Sequence, residues 1–468
     1  MGFIIVLLAL CCLMYMAYKG FSVIIFAPLI AMAAVLLVSP SLVAPMFTGL
    51  FMPKLAGFVQ AYFPVFLLGA IFGKVIELSG FSKSIASWVI KIVGKERAML
   101  SIVIVCLLLT YGGISLFVVV FAVYPFAVEL FRKGDIPKRL IPGTIALGAF
   151  TATMDAIPGT PQIQNIIPTT FFGTNIYAAP ILGTIGAIFI IVLGMLYLEW
   201  RRRVALRKGE GYGSNHKNEP PKIDETHLAN PLIAILPLIA VGVINLILTK
   251  IIPSLYEKEV SFASTAMKHA KGIMDVIQKI QSVQALWAVE AALLVGIIVV
   301  FIFAWKKVIK GFSEGAHQAV GGSLIASLNT ATEYGFGAVI AALPGFLVIS
   351  HALSHIPNPL VNEAITVTAL AGITGSASGG LGIALAAMAD TFIAHAHATG
   401  IPLEVFHRIA SMASGGMDTL PHNGAVITLL AVTGLSHKQS YKDIFAITIL
   451  KTVAVFFVIG VFYVTGLV

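Results

Sequence analysis

Eight uninterrupted apolar stretches, near 2–18, 21–38, 55–79, 177–200, 231–249, 284–305, 325–350 and 442–466, recur along this chain of 468 residues, and a run of that length is what crossing about 30 Å of hydrocarbon requires. Backbone N–H and C=O groups in lipid must find partners within their own segment, so such a chain folds as a polytopic bundle of helices. The fold expected is therefore all-α. Composition agrees, with 58% hydrophobic against 11% charged residues, too apolar for two or three soluble domains. The net charge of +9 sits mostly in short loops between apolar runs, which marks cytoplasmic loops of a multi-pass inner (cytoplasmic) membrane protein and not a nucleic-acid surface. Cys11, Cys12 and Cys106 all lie in apolar runs and read as free thiols. The first run lacks a basic residue before it and a small-residue cleavage site after it, and Leu10 stands where a lipoprotein needs a small residue before Cys11. It is expected to be a first membrane helix.

Four further apolar stretches are broken in the middle. Residues 98–131 are interrupted by Tyr111-Gly112-Gly113-Ile114-Ser115, and 363–398 by Gly375-Ser376-Ala377-Ser378-Gly379-Gly380. Residues 139–175 are interrupted from Asp155 to Pro161, and 403–435 from Asp418 to Gly424. The pairs belong to a duplication: Phe72-Gly73-Lys74-Val75-Ile76 recurs as Phe336-Gly337-Ala338-Val339-Ile340, Ile136-Pro137 as Ile401-Pro402, and Met154-Asp155 with Pro158 as Met417-Asp418 with Pro421, at offsets of 264, 265 and 263. The repeats expected are 1–200 and 231–468, joined by a polar cytoplasmic linker at 201–230.

Loop charges orient them. Arg201, Arg202 and Arg203 mark one cytoplasmic end, and Lys306, Lys307 and Lys310 another. The spans at 231–249 and 284–305 then join outside, through an amphipathic stretch at 260–282. Lys83, Lys91, Lys95 and Arg97 precede the 98–131 stretch while Arg132, Lys133, Lys138 and Arg139 follow it, so both its ends are cytoplasmic and it reads as a re-entrant hairpin. Its counterpart at 363–398 enters from the opposite side, and 139–175 and 403–435 are broken helices. The two repeats are expected to be inverted.

Irregular backbone at mid-depth survives only where it faces protein or a wet cavity, so four breaks in two matched pairs imply one shared cavity. Each break starts a half-helix whose free N–H groups and partial positive charge suit a carboxylate. Thr160 before Pro161 reads as a helix cap, and Ser115, Ser378 and Asn423 can cap the other starts. Candidate substrate-binding residues are Gly112, Gly113, Ser115, Thr160, Gln162, Asn165, Ser376, Ser378, Gly379, His422 and Asn423. Asp155 and Asp418 are carboxylates at the centre of spans, which points to proton coupling; the alternative is that each caps a broken helix end. His422 either binds substrate, carries a proton or serves a local hydrogen bond. Glu129, Glu290, Glu363, Lys74 and Lys451 are expected near span ends or snorkelling, in structural roles. His351, His355, His395 and His397 read as outer-loop residues ahead of a metal site. No cofactor is called for. With no Lys or Arg inside any break, the site suits one carboxylate better than two or three, hence a small hydroxylated monocarboxylate.

Around Gly112-Gly113-Ile114-Ser115-Leu116-Phe117, with the basic loop and proline-containing break that follow, the chain resembles the GntP family of gluconate:proton symporters over nearly its whole length. That resemblance implies the wider ion transporter superfamily, whose members are homodimers with a scaffold domain and an elevator-like transport domain bearing two opposed hairpins. The break from Asp155 to Pro161, with Gln162 and Asn165 after it, departs from the His- and Pro-rich break of gluconate carriers. It looks more like the branch of short hydroxyacid permeases, such as those for 3-hydroxybutyrate.

Other classes fare worse. His351 and His355 have the spacing of a zinc-metalloprotease helix, but Ala352 stands where the general-base glutamate belongs. Ser376-Ala377-Ser378-Gly379 lacks the leading glycine of a serine-protease loop, so an intramembrane hydrolase is disfavoured and no enzyme is expected. A channel needs a continuous filter, which paired breaks do not make. Sodium coupling is the closer alternative to protons, including for di- or tricarboxylates, because backbone carbonyls and Ser, Thr and Asn oxygens abound at the breaks.

Overall fold

The computed structural model describes residues 2–19, 21–94, 97–214, 216–220, 228–261, 277–346, 348, 356–421 and 423–468. His422, His351 and His355 lie outside the described residues.

The chain is a mostly helical membrane protein. Its first helices are α1 (Gly2–Tyr18), α2 (Val23–Val38), the short α3 (Val43–Met46) and α4 (Met52–Ser79), which Gly80 ends in the left-handed conformation at φ +77°. After α5 (Phe81–Val93), α6 (Ala98–Tyr111) and α7 (Leu116–Lys133) form the first helix pair, meeting at Gly112–Ser115. α8 (Ile141–Ala149), α9 (Ala152–Asp155) and α10 (Ile163–Phe172) make up the first broken segment, followed by the long α11 (Pro180–Arg207), with proline in its first turn. The second part repeats this order. α12 (Pro231–Leu255) and α13 (Gln284–Ala342) lead to a helix pair, α14 (Pro359–Thr374) and α15 (Ala377–Thr399), then to the broken α16 (Leu403–Ser414) and α17 (Gly424–Thr433), then to α18 (His437–Thr465). Among the described residues six helical runs are long and apolar enough to cross a membrane.

Two expectations change. The spans expected at 284–305 and 325–350 are one run of 59 residues, α13, kinked where Ala304 leaves helical geometry (φ −132°, ψ 21°). Lys306, Lys307 and Lys310 follow that kink directly and are exposed, so the chain turns there without unwinding. The stretch at 260–282 is not an amphipathic helix at its described ends: Glu259–Ser261 pairs antiparallel with Ile277–Lys279. Among the described residues the fold is thus all-α apart from this short ribbon.

Small residues bring the helices together. A side chain on Gly335 of α13 would meet Phe51 O at 3.0 Å, and one on Gly315 would meet Leu78 Cδ1 at 3.0 Å, so the second half of α13 runs antiparallel to α4 at close range. Gly186 and Gly194 do the same for α11, seating Met412, Val458 and Leu147. Phe189 and Phe457 stack at 4.3 Å between α11 and α18. At the basic end, buried Asp443 of α18 accepts from Arg201 Nε at 2.6 Å, Tyr197 Oη at 2.9 Å and Arg139 Nη1 at 3.4 Å, tying the start of α18 to α11 and to the loop before α8. The linker folds back over this end: Arg139 holds Glu210 through two bonds of 2.6 and 2.7 Å, which keeps that carboxyl below the usual glutamate range, and buried Lys138 donates to Glu219 at 2.9 Å. Cys106 is buried in α6, and all three cysteines are free thiols.

Candidate functional site

Both helix pairs are fastened to their broken segments by an amide at the same place. Gln162 Nε2, where α10 begins, donates to Thr110 O at 2.7 Å at the end of α6. Asn423 Nδ2, where α17 begins, donates to Gly375 O at 2.8 Å at the end of α14. In each pair the last threonine of the incoming helix turns its hydroxyl back on its own turn, Thr110 to Cys106 O at 2.7 Å and Thr374 to Leu370 O at 3.0 Å. Each corner is therefore packed onto the start of a half-helix.

The two broken segments also meet each other. Asp155, at the end of α9, is 1% exposed, and its Oδ1 has no hydrogen-bond partner among the described residues. Gly415, just past α16, faces it so closely that a Cβ there would lie 1.8 Å from Asp155 Oδ2. Ser411 Oγ and Arg408 Nη1 donate to the Asp155 carbonyl at 2.9 and 3.0 Å. Asp418 pairs with Lys451 Nζ at 2.6 Å, and the same ammonium donates to Phe150 O at 3.1 Å, across to the end of α8. Asp155, Asp418, Arg408 and Lys451 thus form one electrostatic group.

The caps differ from the expectation in three of four places. α10 begins at Ile163, beyond Pro161, and Thr160 Oγ1 instead donates to Thr153 O at 2.6 Å, because the αL turn at Gly159 (φ +83°) carries the chain away from the helix axis first. Ser115 occupies the cap position of α7 but makes no side-chain capping bond. Ser376, not Ser378, caps α15, accepting from Gly379 N at 3.1 Å, while Ser378 Oγ lies 3.2 Å from Thr330 Oγ1 of α13. Asn423 does cap α17, accepting from Val426 N at 2.9 Å. The position before the helix start is taken by Gln162 at α10 and by Asn423 at α17, while the Asp418 carboxyl accepts from the backbone of Thr419.

Asn165 is occupied on every side: its amide donates to Thr160 O and Ile176 O at 3.0 and 2.8 Å, and its Oδ1 accepts from Arg408 Nη1 at 3.0 Å and faces His407 Nε2 at 3.2 Å. Gly112 and Gly113 lie at the first corner, where a Cβ on Gly112 would strike Leu238 Cγ at 2.4 Å.

Several functional candidates escaped the sequence reading. Lys451 and Glu363, expected near span ends or snorkelling, are buried at 1% and 0% exposure. Lys451 sits at the middle of α18, and that mid-span position was the available signal. Both Glu363 oxygens, Glu333 Oε2 and Gln164 Oε1 are buried without partners among the described residues. Arg408 and His407 lie outside the break at Asp418, yet folding carries Arg408 onto the other break. Counting cations by break therefore undercounted the site. Arg408 nonetheless has no donor to spare: its five N–H groups go to Ala178 O twice (3.1 and 2.8 Å), Asp155 O and Asn165 Oδ1 (both 3.0 Å) and Ile176 O (3.4 Å). Of the other polar residues, Glu129 pairs with Lys133 at the surface, and the partly buried Lys74 pairs with Glu77.

The chain is similar to known proteins. The model of the GntP family permeases matches residues 1–268. An uncharacterized transporter of Bacillus subtilis (strain 168), YxjC, is 57% identical over 477 residues, covering 100% of both chains. Among solved structures, the YdaH transporter of Alcanivorax borkumensis is similar over 88% of each chain with a TM-score of 0.54 at 15% identity, a likeness of fold alone. A buried charged group between paired helix breaks, in a mostly helical membrane chain with these relatives, is the build of a transporter and not of an enzyme, and the chain belongs to the GntP permease family.

Proposed function

We propose that this permease is a proton-coupled symporter of a small hydroxylated monocarboxylate, of the gluconate or 3-hydroxybutyrate type, in the cytoplasmic membrane. The observation that carries the reading is the buried, unpartnered Asp155 Oδ1 held between the two broken segments beside the Asp418–Lys451 pair. A carboxyl with a free oxygen and no fixed counter-ion bond of its own is suited to taking and releasing a proton. The single-carboxylate preference rests on donors. Arg408 is saturated, and Lys451 uses two of its three N–H groups on protein, so one cationic donor is left for an anion. Gln162, Asn423, Ser115, Ser376 and Ser378 line the corners where substrate hydroxyls would pair, with Gly112, Gly113, Thr160 and Gly379 shaping the backbone. His422 is assigned to the same break, beside Asn423. Asn165 then acts by positioning Arg408.

In this reading 98–131 and 363–398 are opposed re-entrant hairpins of inverted repeats, the helices around α4 and α13 form a scaffold, and the hairpins and broken helices move as an elevator-like transport domain within a homodimer. Mass photometry in nanodiscs tests the last point, where a monomer counts against it.

Uptake into proteoliposomes, with proton and sodium gradients imposed separately, tests the coupling. A proton gradient alone is expected to drive accumulation of gluconate or 3-hydroxybutyrate, and citrate and succinate to compete poorly. Accumulation driven by sodium, or preference for a tricarboxylate, overturns the proposal. Asp155→Asn is expected to abolish accumulation while leaving exchange of internal for external substrate, since the amide keeps size and hydrogen bonding but carries no proton.

A further inference from the structure

The recurring pentapeptides place α4 and α13 against the two helix pairs: a Cβ on Gly73 would touch Ile114 Cγ2 at the first corner at 3.5 Å, and one on Gly337 would press on Ile383 Cγ1, two turns past the second corner, at 2.6 Å. One turn earlier the correspondence breaks. Gly69 of α4 faces the first corner, where a Cβ on it would lie 3.9 Å from Gly113 O, whereas the residue 264 positions later is Glu333.

Glu333 is 3% exposed, and its Oε2 has no partner among the described residues. It points into the first turn of α15: a Cβ on Gly379 would lie 1.7 Å from Glu333 Oε2, so glycine there is what admits the carboxyl. A second contact lies one turn back on α13, where Thr330 Oγ1 stands 3.2 Å from Ser378 Oγ. Helix starts carry unpaired N–H groups and a partial positive charge, which favour a carboxylate in its ionised form.

Among the described residues no fixed cation shares this place. On α4, Lys54 is exposed and Lys74 pairs with Glu77; α2 and α10 carry no charged residue. On the hairpin, Glu363 lies three turns before the corner, and Asp390, His395 and His397 lie three turns or more after it. The phenols nearby are Tyr334, packed on Phe58 and Phe171, and Tyr62, which shares a hydrogen bond with Thr170. Among the described residues the charge on Glu333 is therefore faced by the start of α15, whose cap residue Ser376 also hydrogen-bonds the carboxyl.

We propose that Glu333 is a second proton-binding group, which when ionised holds the corner of the α14–α15 pair against α13 and when protonated lets it part. Proton binding would thereby be linked to motion of one corner and not the other, since Gly69 supplies no such group to the α6–α7 pair. The inference rests on the proton-coupled reading for its role in transport, but its test needs no substrate.

The test is hydrogen–deuterium exchange of the full-length protein in detergent, corrected for intrinsic rates, on peptides covering 374–382. Between about pH 9 and about pH 5 the wild-type corner is expected to exchange about fivefold faster or more at the acid end, the loss of one favourable carboxylate–helix interaction. E333Q is expected to show the fast rate at every pH, with α11 unchanged, and Glu333→Asp to keep a pH response. An E333Q profile that follows the wild type overturns the proposal. So does protection that answers to sodium chloride and not to pH, since that assigns the carboxyl to a metal cation. If E333Q loosens α11 as well, the wild-type and Glu333→Asp profiles decide, and a flat response in both overturns it.

Discussion

Asp418→Asn should destabilise this protein by about 3–5 kcal/mol, because it leaves the Lys451 ammonium buried without its counter-ion. The ammonium would keep one bond, to Phe150 O at 3.1 Å, which does not neutralise its charge. Replacing both partners, as Asp418→Asn with Lys451→Met, removes the charge together with its need for a partner and is expected to recover most of the lost stability. Transport should not recover with it. Thermal melting of the two single variants and the double variant in one detergent checks the stability cycle, and proton-driven uptake checks the function. A double variant no more stable than Asp418→Asn alone would show that the lost stability does not come from the orphaned ammonium.

Arg408→Met should have a comparably large effect, for a different reason. The guanidinium gathers carbonyls from a turn that is otherwise poorly held. Ile176 O retains bonds from Asn165 Nδ2 and Gly159 N, and Asp155 O retains Ser411, but Ala178 O is held by Arg408, through two bonds. The next residue, Ala179, stands in the left-handed region at φ +43°, which an alanine adopts only when its surroundings enforce it. Methionine fills the space but offers no donor, and each buried acceptor left short costs about 1–3 kcal/mol, so a total of about 3–5 kcal/mol is expected. Arg408→Lys, with three donors on a point charge in place of five on a planar fork, should fall between the two. Size-exclusion profiles and melting temperatures decide; an Arg408→Met protein that melts with the wild type would show that the turn before α11 holds itself.

Most of the architecture was legible in the chain because apolar length, glycine and proline act locally. α1, α2, α11, α12 and α18 fall within a few residues of their apolar runs, and both corners and both breaks occur where Gly112-Gly113, Gly375, Pro158 and Pro421 interrupt them. The GntP family could be recognised from those same interruptions, together with the basic loop that follows the first corner.

What local sequence could not decide was which charges meet. Asp155 and Asp418 stood out as carboxylates in apolar runs, yet only folding puts Gly415 against the first and Lys451 against the second, from helices about 260 and about 30 residues away in the chain. Arg408 was passed over because its own segment is continuous helix, and it matters through the break it reaches on α9. Glu333 lay inside the apolar run at 325–350, which marked it as a charge within a span, but an acidic residue in α13 reads the same whether it faces a loop, a lipid headgroup or the start of another helix. Apolar burial is written in the order of residues along one element. A buried charge is tolerable only through partners brought from other elements, and those belong to the tertiary structure.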